Sequence, residues 1–302
     1  MCQNCQKHPV TTLTSGRPLC KNCFLKYFEK KVRKTIRVYK LIGKTDSLVI
    51  ALSGGKDSLT VLDLLSNIYT HSPSVSLTAV AIDEGIDGYR DKTLEYARDF
   101  CHKRQIPLEV VSYKEAFGFK LDNVVKGRRA CSVCGVLRRS LLNRKARELG
   151  ANKLVTGHNL DDEAQTILMN QFRRNVETSA RLGPITGVDT HKGFVRRIKP
   201  LYFMSEKEVM TYAYLKGLTR EFNECPYNRG SYRNQVRDLL NTFEEKFPGT
   251  KYSIVNSFLE VLPLLKQKEK NRFRINACSR CNEPCSQTVC QKCMVLEEIK
   301  ST

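Results

Sequence analysis

The sequence predicts a doubly wound parallel α/β sheet carrying a small cysteine ribbon at each end. Three observations carry that reading. From about Asp46 short β-branched runs alternate with helical periods, the signature of strand–helix–strand units and a parallel sheet. The run Ser53-Gly54-Gly55-Lys56-Asp57-Ser58 joins the apolar stretch Leu48 to Leu52 to a helical period. Ten of the thirteen cysteines form five C-x-x-C pairs, two near each end and one in the middle.

Residues 1–24 hold Cys2/Cys5 and Cys20/Cys23, separated by fourteen residues that include the turn signal Ser15-Gly16-Arg17-Pro18. Four thiolates in two knuckles suit a structural zinc ion with no open coordination position. So short a segment buries too little core to fold unaided, and metal ligation supplies the missing free energy. Residues 25–45 read as a basic linker helix, Leu25 to Ile42, with Lys30, Lys31, Arg33, Lys34, Arg37 and Lys40 on one face and Val32, Ile36, Val38 and Leu41 for packing. The positive face suits RNA phosphates as well as it suits water. Residues 46–200 form the nucleotide domain, with strands at Ser47–Leu52, Ser76–Ile82, Leu108–Ser112 and Lys153–Thr156. Helices follow near Ser58–Tyr69, Tyr89–Lys103, Cys134–Leu149 and Asp161–Phe172. Residues 201–271 read as mostly helical, with starts near Ser205-Glu206 and Ser231 and a break at Pro248-Gly249. Residues 272–302 contain the second ribbon, Cys278/Cys281 and Cys290/Cys293, with eight residues between the pairs and Cys285 inside them.

Composition narrows the partners. The 302 residues are 41% hydrophobic and 27% charged, which excludes a disordered or fibrous chain. A formal charge of +20 concentrates polyanions, so nucleic acid is the leading partner. No apolar run approaches the ~20 residues that span a bilayer, and no signal peptide opens the chain, so the expectation is a cytoplasmic protein. A cytosolic setting in turn favours metal ligation over disulfides.

The glycine turn is the sharpest chemical motif. Two glycines admit backbone N–H groups to an anion, the helix N-terminus adds its dipole, and Lys56, Ser53 and Ser58 add donors. The spacing is not that of a Walker loop. Cys131 and Cys134 have no second pair at ribbon distance, and Cys225 follows ninety-one residues after Cys134. Spacing alone leaves three readings open: a three-thiolate iron–sulfur site, a catalytic thiol with a resolving pair, or unrelated packed thiols. Arg128, Arg129, Arg138 and Arg139 flank the pair, where positive charge lowers thiolate pKa values and attracts phosphate.

These residues resemble a known family. Ser-Gly-Gly-Lys-Asp-Ser after the first strand is similar to the PP-loop of the adenine-nucleotide alpha hydrolases, a Rossmann-like fold that cleaves ATP between its α and β phosphates. The likeness extends along nearly the whole chain to the tRNA 2-thiouridine synthetases of the TtuA and NcsA type. It rests on Ile82-Asp83-Glu84-Gly85-Ile86, Gly88-Tyr89-Arg90, Cys131-Ser132-Val133-Cys134-Gly135, Gly157-His158-Asn159-Leu160-Asp161-Asp162-Glu163, Cys225-Pro226-Tyr227 and the two terminal ribbons. The resemblance implies ATP-dependent tRNA 2-thiolation, in which a uridine C2 oxygen attacks the α-phosphate and the adenylated oxygen then leaves as AMP when sulfur displaces it. Adenylation is needed because an unmodified C2 oxygen is a poor leaving group. The resemblance also implies a [4Fe-4S] cluster on Cys131, Cys134 and Cys225, with one iron lacking a protein ligand and open to sulfide; a persulfide relay through Cys131 or Cys225 is the rival account. ATP and Mg2+ would use Ser53, Gly54, Gly55, Lys56, Asp57 and Ser58, with Ala81 against adenine, Asp83 at the crevice, Arg138 on phosphate, Gly157 near the nucleotide, and Asp161 and Asp162 in magnesium handling or uridine activation. Asp161 reads equally as a helix cap, and His158 equally as a structural residue.

Two zinc ions, a tRNA substrate, a homodimer, and either free sulfide or a thiocarboxylated ubiquitin-like carrier complete what the resemblance implies. The RNA track would run over Arg173-Arg174, Arg196-Arg197 and the C-terminal ribbon with Arg272, Arg274, Arg280 and Lys292. Asn and Gln are not scarce, as they tend to be in heat-adapted chains, which tips the target toward the wobble uridine rather than the T-loop uridine. Two rivals stand beside this reading: another base modifier of the same superfamily, a cytidine thiolase or lysidine-type ligase, and a non-catalytic zinc-ribbon protein that binds tRNA.

Overall fold

The computed structural model describes residues 1–70, 72, 74–124, 130–187, 193–218, 224–228, 230–270 and 275–301. Arg128, Arg129, Arg272 and Arg274 lie outside the described residues. At the centre is a sheet of five parallel strands: β1 (Ser47–Ala51), β2 (Ser76–Asp83), β3 (Leu108–Ser112), β4 (Lys153–Val155) and β5 (Arg196–Ile198), in the spatial order β3-β2-β1-β4-β5. The order reverses at β1, and at that switch point a doubly wound sheet opens a crevice beyond its carboxyl edge.

β1 carries Leu48, Val49 and Ile50, all buried, because both faces of a parallel sheet are covered and no polar alternation is required. Leu48 and Ile50 enter one core with Leu59, Leu62 and Ala79; Val49 enters the other with Val80, Ile82, Leu137 and Leu141. The helices are α1 (Lys21–Val38), α2 (Lys56–Tyr69), α3 (Arg90–Arg104), α4 (Ala130–Glu148), α5 (Leu160–Phe172), α6 (Glu206–Leu215), α7 (Tyr232–Lys246), α8 (Thr250–Lys270) and α9 (Gln291–Lys300). A third core joins α5, α7 and α8 through Leu160, Ile167, Val236, Leu240, Val255 and Phe258. Ser205 and Ser231 cap α6 and α7 through hydrogen bonds to Glu208 N and Asn234 N, at the two starts the sequence indicates.

Three features depart from the sequence reading. First, α1 starts at Lys21 rather than Leu25, with Cys20 as its N-cap, and Phe24, Phe28, Val32 and Ile36 run along its core face. Phe28 stacks on Tyr212 of α6 with ring centroids 4.4 Å apart, while Val38 lies exposed. Second, α1 stops at Val38 rather than Ile42. Lys40 takes the left-handed conformation (φ 48°), and the Leu41 amide bonds back to Ile36 O at 2.9 Å, a stop usually made by glycine. Third, β5 was not expected, because a three-residue strand containing Arg196 and Arg197 shows no apolar run. It is held by register, Leu154 opposite Arg197 and Val155 opposite Ile198.

Both ribbons are docked. Leu13 and Leu19 join the core of α1, and Val295, Leu296 and Ile299 of α9 pack on the cluster that holds α4. Among the described residues no helix is long and apolar enough to cross a membrane.

Candidate active site

The glycine turn leaves β1 and opens α2. Gly54 adopts φ +80°, and a Cβ there would come within 1.9 Å of Thr93 O, so only glycine fits between the turn and α3. Gly55 is the N-cap of α2 and offers no side-chain acceptor, which leaves the first amides of the helix for an external anion. Ser53 and Ser58 brace the turn with their hydroxyl oxygens 3.0 Å apart. Lys56 Nζ lies 3.0 Å from both Asp57 Oδ2 and Glu206 Oε1. Burial would lower its pKa, but the two carboxylates outweigh that and hold the ammonium charged.

Two residues that motif reasoning left without a role hold the turn in place. Arg90 is buried and donates to Ser53 O at 2.6 Å; its guanidinium also lies 3.0 Å from buried Glu84. The six-residue spacing of these opposite charges, across a loop that must return to the sheet, was the available signal.

β4 delivers the second wall. A Cβ on Gly157 would meet Asp57 C at 2.8 Å, so the end of β4 rests directly on the first turn of α2. Asn159 caps α5 in a capping box with Asp162 and donates to Asp57 Oδ1 at 3.0 Å. The two adjacent aspartates separate here. Asp161 is buried, pairs with Lys251 of α8, and accepts from Glu206 N at 2.7 Å, so it ties three helices together. Asp162 faces Asp57 and Arg233, the latter at 3.8 Å; burial and the Asp57 carboxylate push it up to about 7. His158 Nδ1 lies 2.8 Å from Thr156 Oγ1. Enclosure by protein, with Lys199, Arg197, Arg233 and Arg138 around it, holds the imidazole well below its ordinary range and therefore neutral. Asp83 accepts from Gly85 N at 2.9 Å and shapes the turn after β2. Ala81 is fully enclosed opposite Val110 of β3.

The three mid-chain cysteines lie in one neighbourhood on the side of this crevice, but unlike the ribbon cysteines their sulfurs are not all within 4.8 Å of one another. Cys131 and Cys134 sit in the first turns of α4, and Cys225 precedes a short helical turn, Pro226–Asn228, that packs beside them. Cys131 Sγ donates to Tyr227 O at 3.1 Å. Burial pushes the Cys134 thiol up to about 11 against the pull of Arg138, and burial together with Cys131 raises Cys225. Thiols raised in this way stay protonated at neutral pH unless a metal replaces the proton. Three neighbouring thiols with no fourth cysteine beside them, spaced more widely than the ligands of a single ion, fit a cluster that keeps one position open. Cys101, buried on α3, belongs to the opposite core. Arg138 lies 3.5 Å from Glu84, next to Cys134, and Arg139 has no hydrogen-bond partner among the described residues. Desolvation by the surrounding protein, with Arg197 and Arg138 alongside, lowers Arg139 to about 10.

The terminal ribbons form two tight groups, Cys2, Cys5, Cys20 and Cys23, and Cys278, Cys281, Cys290 and Cys293, each with all sulfurs within 4.8 Å. Separations such as 3.6 Å between Cys5 and Cys23 and 4.0 Å between Cys278 and Cys293 match the ~3.8 Å edge of a tetrahedron built on 2.3 Å metal–sulfur bonds. Backbone amides support them, Cys290 N donating to Cys278 Sγ at 3.2 Å. Cys285 stands outside its group and donates to Gln287 O.

Residues 25–243 match the family model of the PP-loop domain. The chain belongs to the PP-loop family. Within that family this PP-loop chain is 38% identical to the tRNA 2-thiolation protein NcsA of Haloferax volcanii over 99% of both chains. It is also 38% identical to the tRNA-5-methyluridine(54) 2-sulfurtransferase of Pyrococcus horikoshii, over 91% of this chain and 86% of that one. Its fold matches the U34-tRNA thiolase NcsA of Methanococcus maripaludis, solved with its [4Fe-4S] cluster, at a TM-score of 0.83 and 35% identity over 98% and 95% of the two chains. The family model covers neither ribbon, whereas the likeness to the Haloferax volcanii protein runs through both.

Proposed function

We propose that this protein is an ATP-dependent tRNA-uridine 2-sulfurtransferase. One observation carries the reading: the turn holding Cys225 is brought to Cys131 and Cys134 at the mouth of the PP-loop crevice, the Cys131 thiol bonding Tyr227 O at 3.1 Å. The PP-loop amides, Lys56, Ser53 and Ser58 bind the ATP phosphates, with Mg2+ as their counter-ion. The uridine C2 oxygen forms a bond to the α-phosphorus while the bond to pyrophosphate breaks; sulfide then adds at C2 and AMP departs with the original oxygen. Arg138 offsets phosphate charge as pyrophosphate leaves. Asp162, poised near neutrality by its surroundings, exchanges a proton with the base. Cys131, Cys134 and Cys225 hold a [4Fe-4S] cluster, which when bound supplies a Lewis-acid position for sulfide. Zinc fills both ribbons.

The cytoplasm is the compartment, in keeping with relatives such as the cytoplasmic tRNA 2-thiolation protein 1 of Danio rerio, 36% identical over 98% of this chain. The wobble uridine is the target, sulfide or a thiocarboxylated carrier is the donor, and the working form is a homodimer. Arg173, stacked 4.0 Å over the Tyr232 ring, with Arg196, Arg197, Arg280 and Lys292, tracks the tRNA backbone.

The test is anaerobic purification with iron and sulfide assay, then thiolation of unmodified tRNA with ATP and sulfide. Wild type should hold about four irons per chain and form 2-thiouridine at the wobble position, and Cys225→Ala should lose both. Full activity without iron, or in the variant, would sink the cluster and turn the search to persulfide chemistry.

A further inference from the structure

Beside the PP-loop a pocket of ≈130 Å³ opens between the first turn of α2, the start of α5, the turn after Cys225 and the start of α7. Its lining contains no aliphatic or aromatic side chain and includes Asp57, Asp162, Gln165, Asn228, Arg233 and Asn234. A cavity of about 150 Å³ holds one benzene ring, so this pocket admits a single six-membered ring and is too small for a purine. Polar lining of this density suits a ring with hydrogen-bonding groups on its edge.

The amides are oriented by their neighbours. Gln165 Oε1 accepts from Arg233 at 3.1 Å, which leaves Nε2 as a donor. Asn234 Nδ2 donates to Asn228 O at 2.9 Å, which leaves Oδ1 as an acceptor. Asn228 Oδ1 accepts from Ser231 Oγ at 3.4 Å, which leaves Nδ2 as a donor. Two donors and one acceptor remain without partners among the described residues. Uracil presents the complement, two carbonyl oxygens flanking N3–H. Cytosine would set its unprotonated N3 against the Asn234 oxygen and its amino group against a donor.

The position is equally telling. The backbone N–H of Asn228 donates to Cys225 O at 2.9 Å, and Asp57 belongs to the glycine turn, so a ring in this pocket lies between the phosphates and the three cysteines. We infer that the pocket receives the target uracil, extruded from the tRNA stack, and that Gln165, Asn228 and Asn234 select it over cytosine. This rests on the thiolation reading above.

The test uses the full chain and an anticodon stem-loop carrying 5-bromouridine, or in a second probe 5-bromocytidine, at the wobble position. Ultraviolet cross-linking followed by peptide mapping should place the bromouridine adduct within residues 159–165 or 228–237, two segments that line the pocket, with at least tenfold less adduct from bromocytidine. Asn228→Ala and Asn234→Ala should erase that preference, both with affinity for a non-hydrolysable ATP analogue within twofold of wild type. Adducts elsewhere, an unchanged preference in the alanine variants, or a tenfold loss of ATP-analogue affinity would overturn the inference, the last assigning the pocket to the nucleotide. Because cross-linking needs no turnover, a pocket adduct in a protein that makes no 2-thiouridine would uphold the base site while removing the thiolation reading.

Discussion

Gly54 and Gly55 look alike in the sequence and differ in what a methyl group would meet. At Gly54 it would drive into Thr93 O at a positive φ, whereas at Gly55 it would meet only Ser53 Oγ at an ordinary 3.5 Å. Gly54→Ala should therefore destabilise the fold by more than ~1 kcal/mol and abolish ATP binding, while Gly55→Ala keeps near-native stability, as equilibrium denaturation and calorimetry will read. The aspartate pair divides in the same manner. Removing the Asp161 charge strands Lys251 in the interior, so Asp161→Asn should cost about 3–5 kcal/mol in denaturant unfolding. Asp162→Asn should leave the fold nearly intact and lower kcat. The folded protein holds the Asp162 proton up to about pH 7, above the ordinary carboxylate range, so the group binds protons more tightly folded than unfolded. Stability should thus fall as pH rises from about 4 to about 7, and Asp162→Asn should flatten that part of the profile. The motif Gly157 to Glu163 marked both aspartates but gave no means to tell them apart. Neighbouring helix residues point about 100° apart, and the partner that claims Asp161 lies ninety residues further along.

Among the elements, α1 shows how a packing face can be misread. The sequence marked a positive face and a packing face of Val32, Ile36, Val38 and Leu41, yet the row in the core is Phe24, Phe28, Val32 and Ile36, an i, i+4 series that leaves Val38 exposed. Phe28→Ala should cost about 3–5 kcal/mol, and Lys34→Ala, on the exposed face, should change stability by less than ~0.5 kcal/mol. The helix stop at Lys40 and the strand β5 were illegible for definite reasons. A lysine in a left-handed conformation carries no glycine signature, and a three-residue strand with two arginines is fixed by its register against β4 and by the bridge of Ile185 to Ile198 on its other side. Each ribbon runs straight into a helix, with Cys20 capping α1 and Cys290 capping α9. Stripping the ribbon metal with a chelator should accordingly lower the melting temperature and open residues 1–24 and 275–300 to protease, at a rate set by the local unfolding equilibrium.

For the molecule as a whole, a charge of +20 makes RNA binding steeply salt-dependent. If six phosphates are neutralised, affinity should fall about 10³-fold between 50 and 200 mM salt, and the slope of log K against log salt should drop by ~0.7–0.9 for each contacting arginine removed. Four of the five strands, their parallel doubly wound class and the ribbons were legible because period-2 and period-3.6 patterns and cysteine spacing are local, whereas the strand order and its switch point were not. The pocket of Gln165, Asn228 and Asn234 was not, because three amides from three elements share no spacing until the chain folds. The docking of α9 on α4 has a consequence in time. The helix that presents Cys131 and Cys134 is backed by residues 291–300, made about 160 residues later. At ~5–20 residues per second a ribosome takes on the order of ten seconds or more to cover that distance. Throughout that interval the thiols are synthesised but lack the helix that backs them, so protection from oxidation must come from outside the chain until α9 emerges.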